Sequence, residues 1–257
     1  MTVTDVNVVK SAIFERPDDA NKGTLGSLLC VCGSYGMAGA AVMSAKGALR
    51  TGIGLAKCAL PRSIYPIVAQ TILESVYYPL SENADGRISK VNVPFLVSES
   101  CKSSATLVGC GLGVCDDTLK IVFSFIENST TPLVLDADAL NCVAKQPEIL
   151  LRKKAPIIIT PHPGEMSRLT GLATPLVNAE RERVALDFAQ KYGVVTVLKG
   201  AGTVIASPNG KVLVNPTGNS GMATGGSGDV LAGMTASILA QGASAFSSAA
   251  AAVYLHG

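Results

Sequence analysis

Short, unbroken apolar runs recur along this chain, with helical patterns between them and clusters of small residues directly after several of the runs. A run such as Val194–Lys199 has no polar alternation, so it must be buried on both faces. A mostly parallel sheet covered by helices on both sides meets that need. The spacing predicts strands at Ser27–Cys32, Leu55–Leu60, Ala105–Cys110, Leu133–Asp136, Pro156–Thr160 and Val194–Lys199. Thr203–Ser207 and Lys211–Asn215 flank Pro208-Asn209-Gly210, a hairpin signal. Helical patterns cover Gly39–Arg50, Thr118–Asn128, Asn178–Tyr192, Val230–Ala240 and Ser244–His256. The more polar Tyr77–Val97 stretch reads as a surface excursion near a site or as a plain loop.

Composition narrows the classes. The chain has 257 residues, 48% hydrophobic and 16% charged, too apolar for disorder and without linker or repeat, so one domain is expected. Lys plus Arg is 21 against 19 Asp plus Glu, a net charge of +2. That leaves no basic footprint for nucleic acid. The absence of Trp and the few other aromatics argue against a stacking platform for single strands. Two histidines cannot build a His-rich metal site. No apolar stretch is long enough to predict a membrane span, and the first residues contain no apolar signal core. Seven cysteines without a C-x-x-C pair, mostly in apolar runs, fit a reduced, cytoplasmic chain. The chain stops at Gly257 directly after an apolar helical pattern, so a further C-terminal segment is expected to be missing.

Four small-residue clusters sit where strands end and helices begin, the edge at which open α/β sheets bind ligands. Gly33-Ser34-Tyr35-Gly36-Met37-Ala38-Gly39-Ala40 lets the backbone approach a ligand. Gly109-Cys110-Gly111-Leu112-Gly113 fails the dinucleotide fingerprint, because Val114 stands where a third glycine is needed. In Thr160-Pro161-His162-Pro163-Gly164-Glu165 two prolines stiffen the turn and fix the directions of His162 and Glu165. Taken singly, each of these reads equally well as a tight turn. The fourth cluster is stronger. Gly225-Gly226-Ser227-Gly228-Asp229 opens an apolar helix and makes an anion cradle with a carboxylate beside it. Asp229 stands where a general base is needed, and no Walker-type G-x-x-x-x-G-K-[ST] is present.

The Gly225–Asp229 motif resembles the anion-hole and base motif of the ribokinase-like superfamily. It occurs with Gly33-Ser34-Tyr35-Gly36, Asp136-Ala137-Asp138-Ala139-Leu140-Asn141, Thr160–Glu165 and Lys199-Gly200-Ala201-Gly202-Thr203. In that order the five resemble the ADP/ATP-dependent NAD(P)H-hydrate dehydratases, from about Lys22 to Gly257. The resemblance implies a ribokinase-like three-layer α/β/α sandwich with a mostly parallel central sheet. It implies phosphorylation of the C6 hydroxyl of hydrated NAD(P)H, then loss of phosphate. By position, Asp229 would take the hydroxyl proton, and the N–H groups of Gly226, Ser227 and Gly228 would stabilise the transferring phosphoryl group. Lys199, Gly200, Ala201, Gly202 and Thr203, with Asn219, Gly225 and Gly228, would hold the nucleotide. Ala40, Gly111, His162 and Asp229 would contact the hydrated dinucleotide, with Glu165 and Arg168 near it or the metal. Asp136 and Asn141 rank lower. Mg²⁺ is expected with ADP or ATP, its ligands unassigned, and so is a homo-oligomer, with a tetramer among the forms. Bifunctional members carry an N-terminal epimerase domain, for which this length leaves no room. The alternative is a kinase for a vitamin precursor of the hydroxyethylthiazole or hydroxymethylpyrimidine type; a nucleotide sensor without turnover ranks third.

Overall fold

The structure is a computed structural model that describes residues 3–13 and 15–257. In chain order the elements are α1 (Val6–Ala12), β1 (Ser27–Val31), α2 (Ala38–Arg50), β2 (Leu55–Pro61), α3 (Tyr65–Thr71), β3 (Val76–Leu80), α4 (Val93–Cys101), β4 (Ala105–Val108), α5 (Asp116–Asn128) and β5 (Leu133–Leu135). They continue with α6 (Asp138–Val143), β6 (Ile157–Ile159), α7 (Pro163–Thr170), α8 (Thr174–Ala179), α9 (Arg181–Tyr192), β7 (Val195–Leu198), β8 (Val204–Ala206), β9 (Val212–Val214), α10 (Ser227–Ala240) and α11 (Ala245–His256). Among the described residues the strands form one nine-stranded sheet in the order β3-β2-β1-β4-β5-β6-β7-β8-β9. From β3 to β7 every pairing is parallel, and β7-β8-β9 is antiparallel.

Helices cover both faces, as the unbroken apolar strands require. Leu29, Val31, Val108 and Leu135 point to the face covered by α4 to α9. Leu28, Cys30, Leu107 and Val134 point to the face covered by α1, α2, α3, α10 and α11. All seven cysteines are free, and Cys30, Cys32, Cys58, Cys110 and Cys142 are buried as small apolar residues. No helix among the described residues is long and apolar enough to cross a membrane.

Helices α2 and α10 pack almost backbone to backbone. A Cβ on Gly233 would overlap the Ser44 carbonyl oxygen, and one on Gly47 would lie 2.7 Å from that of Val230. Small residues at this crossing therefore set how deeply the N-terminus of α10 sits over the sheet.

Two expectations need correction. The Tyr77–Val97 stretch is not only a loop: Val76–Leu80 is the edge strand β3, and α4 begins at Val93. Pro79 disguises the strand, but an edge strand tolerates the missing N–H. Asn178–Tyr192 is not one helix. The backbone leaves helical geometry at Glu180 (φ −125°, ψ 41°), so α8 buries Val177 and α9 buries Val184, Phe188 and Tyr192 on separate axes. Helices α1, α3, α4, α6, α7 and α8 are shorter than the sequence periodicity resolves.

Candidate active site

The C-terminal ends of β1, β4, β5, β6 and β7 open toward one edge of the sheet, and the N-terminus of α10 meets them there. The hairpin β8–β9 hands the chain back from the sheet, and Asn215 then anchors it: the Asn215 Nδ2 donates to Thr217 Oγ1 (2.8 Å) and to the Val253 carbonyl of α11 (3.3 Å). From there the chain runs to a short 3₁₀ turn at Ser220–Met222, which Asn219 caps by accepting from Gly221 N–H at 2.9 Å. Gly226 precedes α10 with φ 90°, a left-handed conformation natural to glycine, and a Cβ there would overlap the Met43 sulfur. The Met43 side chain lies against Gly226, and Ser227 N–H donates to the Thr224 carbonyl at 3.4 Å, so of the three cradle N–H groups those of Gly226 and Gly228 have no protein acceptor among the described residues.

Asp229, in that first turn, lies close to Cys110 at the end of β4 and Asp136 at the end of β5. One ligand atom from each falls within 4.8 Å of the others. Burial, followed by the charge of Asp136, pushes the Asp229 carboxyl up to about 6, against the lowering effects of Cys110 and Lys199. Asp136 is buried and shared between three donors: Lys199 Nζ at 2.7 Å and Thr160 Oγ1 at 2.8 Å on Oδ1, and the Cys110 thiol at 3.7 Å on Oδ2. Burial alone would discharge Lys199; the carboxylates of Asp136 and Glu165 outweigh it and raise the ammonium. Lys199 also approaches Gly228, since a Cβ built there would lie 3.3 Å from Nζ. One cation thus joins the β5, β6 and β7 ends to the glycine cradle.

The β6–α7 turn is a closed capping arrangement. His162 Nδ1 accepts from Gly164 N–H (3.0 Å), and Glu165 Oε2 accepts from His162 N–H (2.8 Å). Burial and the charges of Lys199 and Arg168 lower the His162 imidazole. Burial raises the Glu165 carboxyl to about 7, with Lys199 3.9 Å away pulling against it.

The remaining predicted residues divide. Ala40 and Gly111 meet: a Cβ on Gly111 would lie 2.7 Å from that of Ala40 and 3.0 Å from that of Met37. Ser227 Oγ lies 3.5 Å from His256 Nε2. Arg168 turns to Asn141 Oδ1 (2.9 Å), and Asn141 continues to Asp138 (3.2 Å), which accepts from Gly113 N–H (2.8 Å). That chain ties α7 to the β4 loop, with Arg168 on its exposed rim. Gly200 and Thr203 close their own turn through the Thr203 hydroxyl, which donates to the Gly200 carbonyl at 2.9 Å. Ala201 and Gly202 line a separate cleft of about 590 Å³ with Arg181. Gly225 and Asn219 are exposed on the loop before α10. Sequence reasoning passed over Cys110 and Thr160 as site groups and ranked Asp136 low. The only signal for them was position: each stands at the C-terminal end of a buried strand.

A mostly parallel sheet with helices on both faces, a glycine cradle at a helix N-terminus and a carboxylate directly after it define a ribokinase-like fold, and a solved ribokinase-like superfamily protein of Enterococcus faecalis shares it at a TM-score of 0.85 and 25% identity, covering 99% of this chain and 85% of that one. Within that class the chain belongs to the NAD(P)H-hydrate dehydratase family, which it matches over residues 28–257. It is 36% identical over 245 residues to an ADP-dependent (S)-NAD(P)H-hydrate dehydratase of Neisseria meningitidis, covering 94% of this chain and 78% of that one. The ADP/ATP-dependent NAD(P)H-hydrate dehydratase of Bacillus subtilis, co-crystallised with ATP/Mg²⁺, superposes with a TM-score of 0.83 at 32% identity, covering 99% of this chain and 86% of that one. A bifunctional NAD(P)H-hydrate repair enzyme of Moorella thermoacetica is 38% identical over 96% of this chain. The chain spans about half the length of such bifunctional relatives, 47% in that case.

Proposed function

We propose that residues 1–257 act as a single catalytic domain that returns (6S)-NAD(P)H hydrate to NAD(P)H at the expense of ADP or ATP. The observation that carries this reading is Asp229: a half-buried carboxylate in the first turn of α10, directly after a glycine cradle. A hydroxyl is a poor leaving group and a phosphate a good one, so a phosphoryl-transfer scaffold serves a dehydration. In this reading Asp229 accepts the proton of the C6 hydroxyl as that oxygen attacks phosphorus. With its carboxyl at about 6, Asp229 is ionised at neutral pH yet basic enough for the task. The N–H groups of Gly226, Ser227 and Gly228 stabilise the charge on the transferring phosphoryl group. Lys199, held by Asp136, keeps a fixed positive charge beside Gly228. Ala40, Gly111 and His162 bound the space for the dihydronicotinamide, and Lys199–Thr203 with Asn219 and Gly225 receive the nucleotide.

The donor set suits a magnesium ion held chiefly by nucleotide phosphates and water. The Asp229–Asp136–Cys110 cluster is a poor cage: Asp136 is committed to Lys199, and the hydrogen bond to Cys32 and burial keep the Cys110 thiol protonated. Glu165 and Asp229 would reach such an ion through water, where it would neutralise phosphate charge. Seven free cysteines support work in the reducing cytoplasm. The exposed apolar side chains of Ile67, Leu73 and Val76 along one sheet edge support a homo-oligomer.

Incubation with hydrated NADH or NADPH, Mg²⁺ and ADP or ATP tests the reading. Dihydronicotinamide absorbance should appear together with inorganic phosphate in equal amounts. A stable phosphorylated product without that absorbance would instead establish a kinase.

A further inference from the structure

Arg181 is placed at a cost that the fold alone does not repay. It is the first residue of α9, where the helix dipole disfavours a cation. Its neighbour Glu180 pairs with Arg183 instead, and among the described residues no carboxylate lies within ion-pair distance of Arg181. Its Nε–H is buried without an acceptor, and burial lowers its pKa. The guanidinium nevertheless holds one position. Nη2 donates to the carbonyl of Leu198, the last residue of β7, at 2.8 Å. Gly200 presses its bare Cα against the same group: φ is 149°, and a Cβ would lie 3.0 Å from Nη1 and 3.1 Å from Nη2. Arg181 also forms part of the wall of the 590 Å³ cleft that Ala201 and Gly202 line, where the other charged residues are Glu182 and the paired Glu180 and Arg183.

We propose that Arg181 is a positioning residue for nucleotide binding, bracing the Lys199–Thr203 turn from beneath through Leu198 and Gly200 and lending the cleft a positive charge for a phosphate-bearing nucleotide. This rests on the reading of that turn as the nucleotide site. A cation that lacks a protein counter-ion gains its partner when the anion arrives, so its loss should fall on the nucleotide and spare the hydrated dinucleotide.

The test uses the full chain and N-methylanthraniloyl-ADP, followed by fluorescence anisotropy without turnover. Relative to wild type, Arg181→Met should weaken this probe about tenfold and raise the KM for ADP by a similar factor. The KM for hydrated NADH and kcat should stay within about twofold, the scatter expected for a residue outside that subsite. Unchanged probe affinity overturns the proposal. So does an equal rise in both KM values with a lowered Tm, which marks a purely structural role. If Arg181→Met does not fold, Arg181→Gln decides by the same split, since it keeps a donor for Leu198 but not the charge. Failure of the wild-type chain to bind the probe overturns the nucleotide reading itself, and this proposal with it; normal wild-type binding with unaffected variants overturns this proposal alone.

Discussion

The Gly225–Asp229 wall and the wall formed by Asp136, Thr160, Lys199 and Glu165 face the same space but are made of different material. The first is backbone: a left-handed glycine, a helix N-terminus and one carboxylate, held at depth by the tight α2–α10 crossing. The second is three ionisable side chains and the Thr160 hydroxyl, from three strand ends, most of them buried and mutually compensated. Backbone donors need no counter-ion and do not titrate, so the first wall can be open. Buried charges are stable only as a set, so the second wall must be closed by its own partners. Changes in the first wall should therefore fall on turnover, and changes in the second on stability, lowering it where a charge is left stranded and raising it where a burial-disfavoured charge is removed.

The sharpest way to break that division is Asp229→Asn. Turnover should fall by about 10²–10⁴ while N-methylanthraniloyl-ADP affinity is kept; unchanged turnover would remove Asp229 as the base. On the other wall, Lys199→Met leaves Asp136 buried without its counter-charge and should cost about 3–5 kcal/mol in urea denaturation. The double variant Asp136→Asn/Lys199→Met should recover more than half of that loss, because it removes the charge left stranded. Recovery of nothing would mean that the two walls do not differ in the way described.

Gly226→Ala tests the open wall from the backbone side. Its methyl meets Met43 and its φ of 90° is strained for alanine, so turnover should drop about a hundredfold with circular dichroism unchanged. Adding Met43→Ala should relieve only the overlap and not the strain.

Glu165 joins the comparison through pH. Its carboxyl is raised from 4.5 to about 7, so the folded state favours the neutral acid. That contribution is full below about pH 4.5 and is lost as pH rises through about 7. Glu165→Gln fixes the neutral form. Its stability should match wild type near pH 5 and exceed it near pH 8 by about 2 kcal/mol, read from denaturation at each pH. A gap of constant size would show that Glu165 acts through shape alone. The smallest effect is the pH profile of the wild type. Below about 6, kcat/KM should fall roughly tenfold per unit as Asp229 takes up its proton.

Much of this was legible in the residues. Apolar runs with no alternation announced a doubly covered sheet, and six of the parallel strands follow from them. The seventh, β3, was hidden because an edge strand carries Pro79 and is half exposed, so neither periodicity nor composition marks it. The glycine cradle could be read because its chemistry is local: consecutive residues supply the N–H groups and the carboxylate. Asp136 was legible only as one polar residue after a strand. Its partners Thr160 and Lys199 lie 24 and 63 positions away, and no local pattern couples them.

What the sequence determined by itself, then, was whatever depends on neighbours along the chain: strand against helix, the places where glycine frees the backbone, and the motif order that gives the family. Tertiary structure alone decided the electrostatics. Lys199 stands in the KGAGT motif, yet its ammonium is claimed by Asp136, and Asp229 is raised because the sheet brings a second carboxylate beside it. Coulomb energy and desolvation depend on distance in space and depth from water, and neither is written in the order of residues.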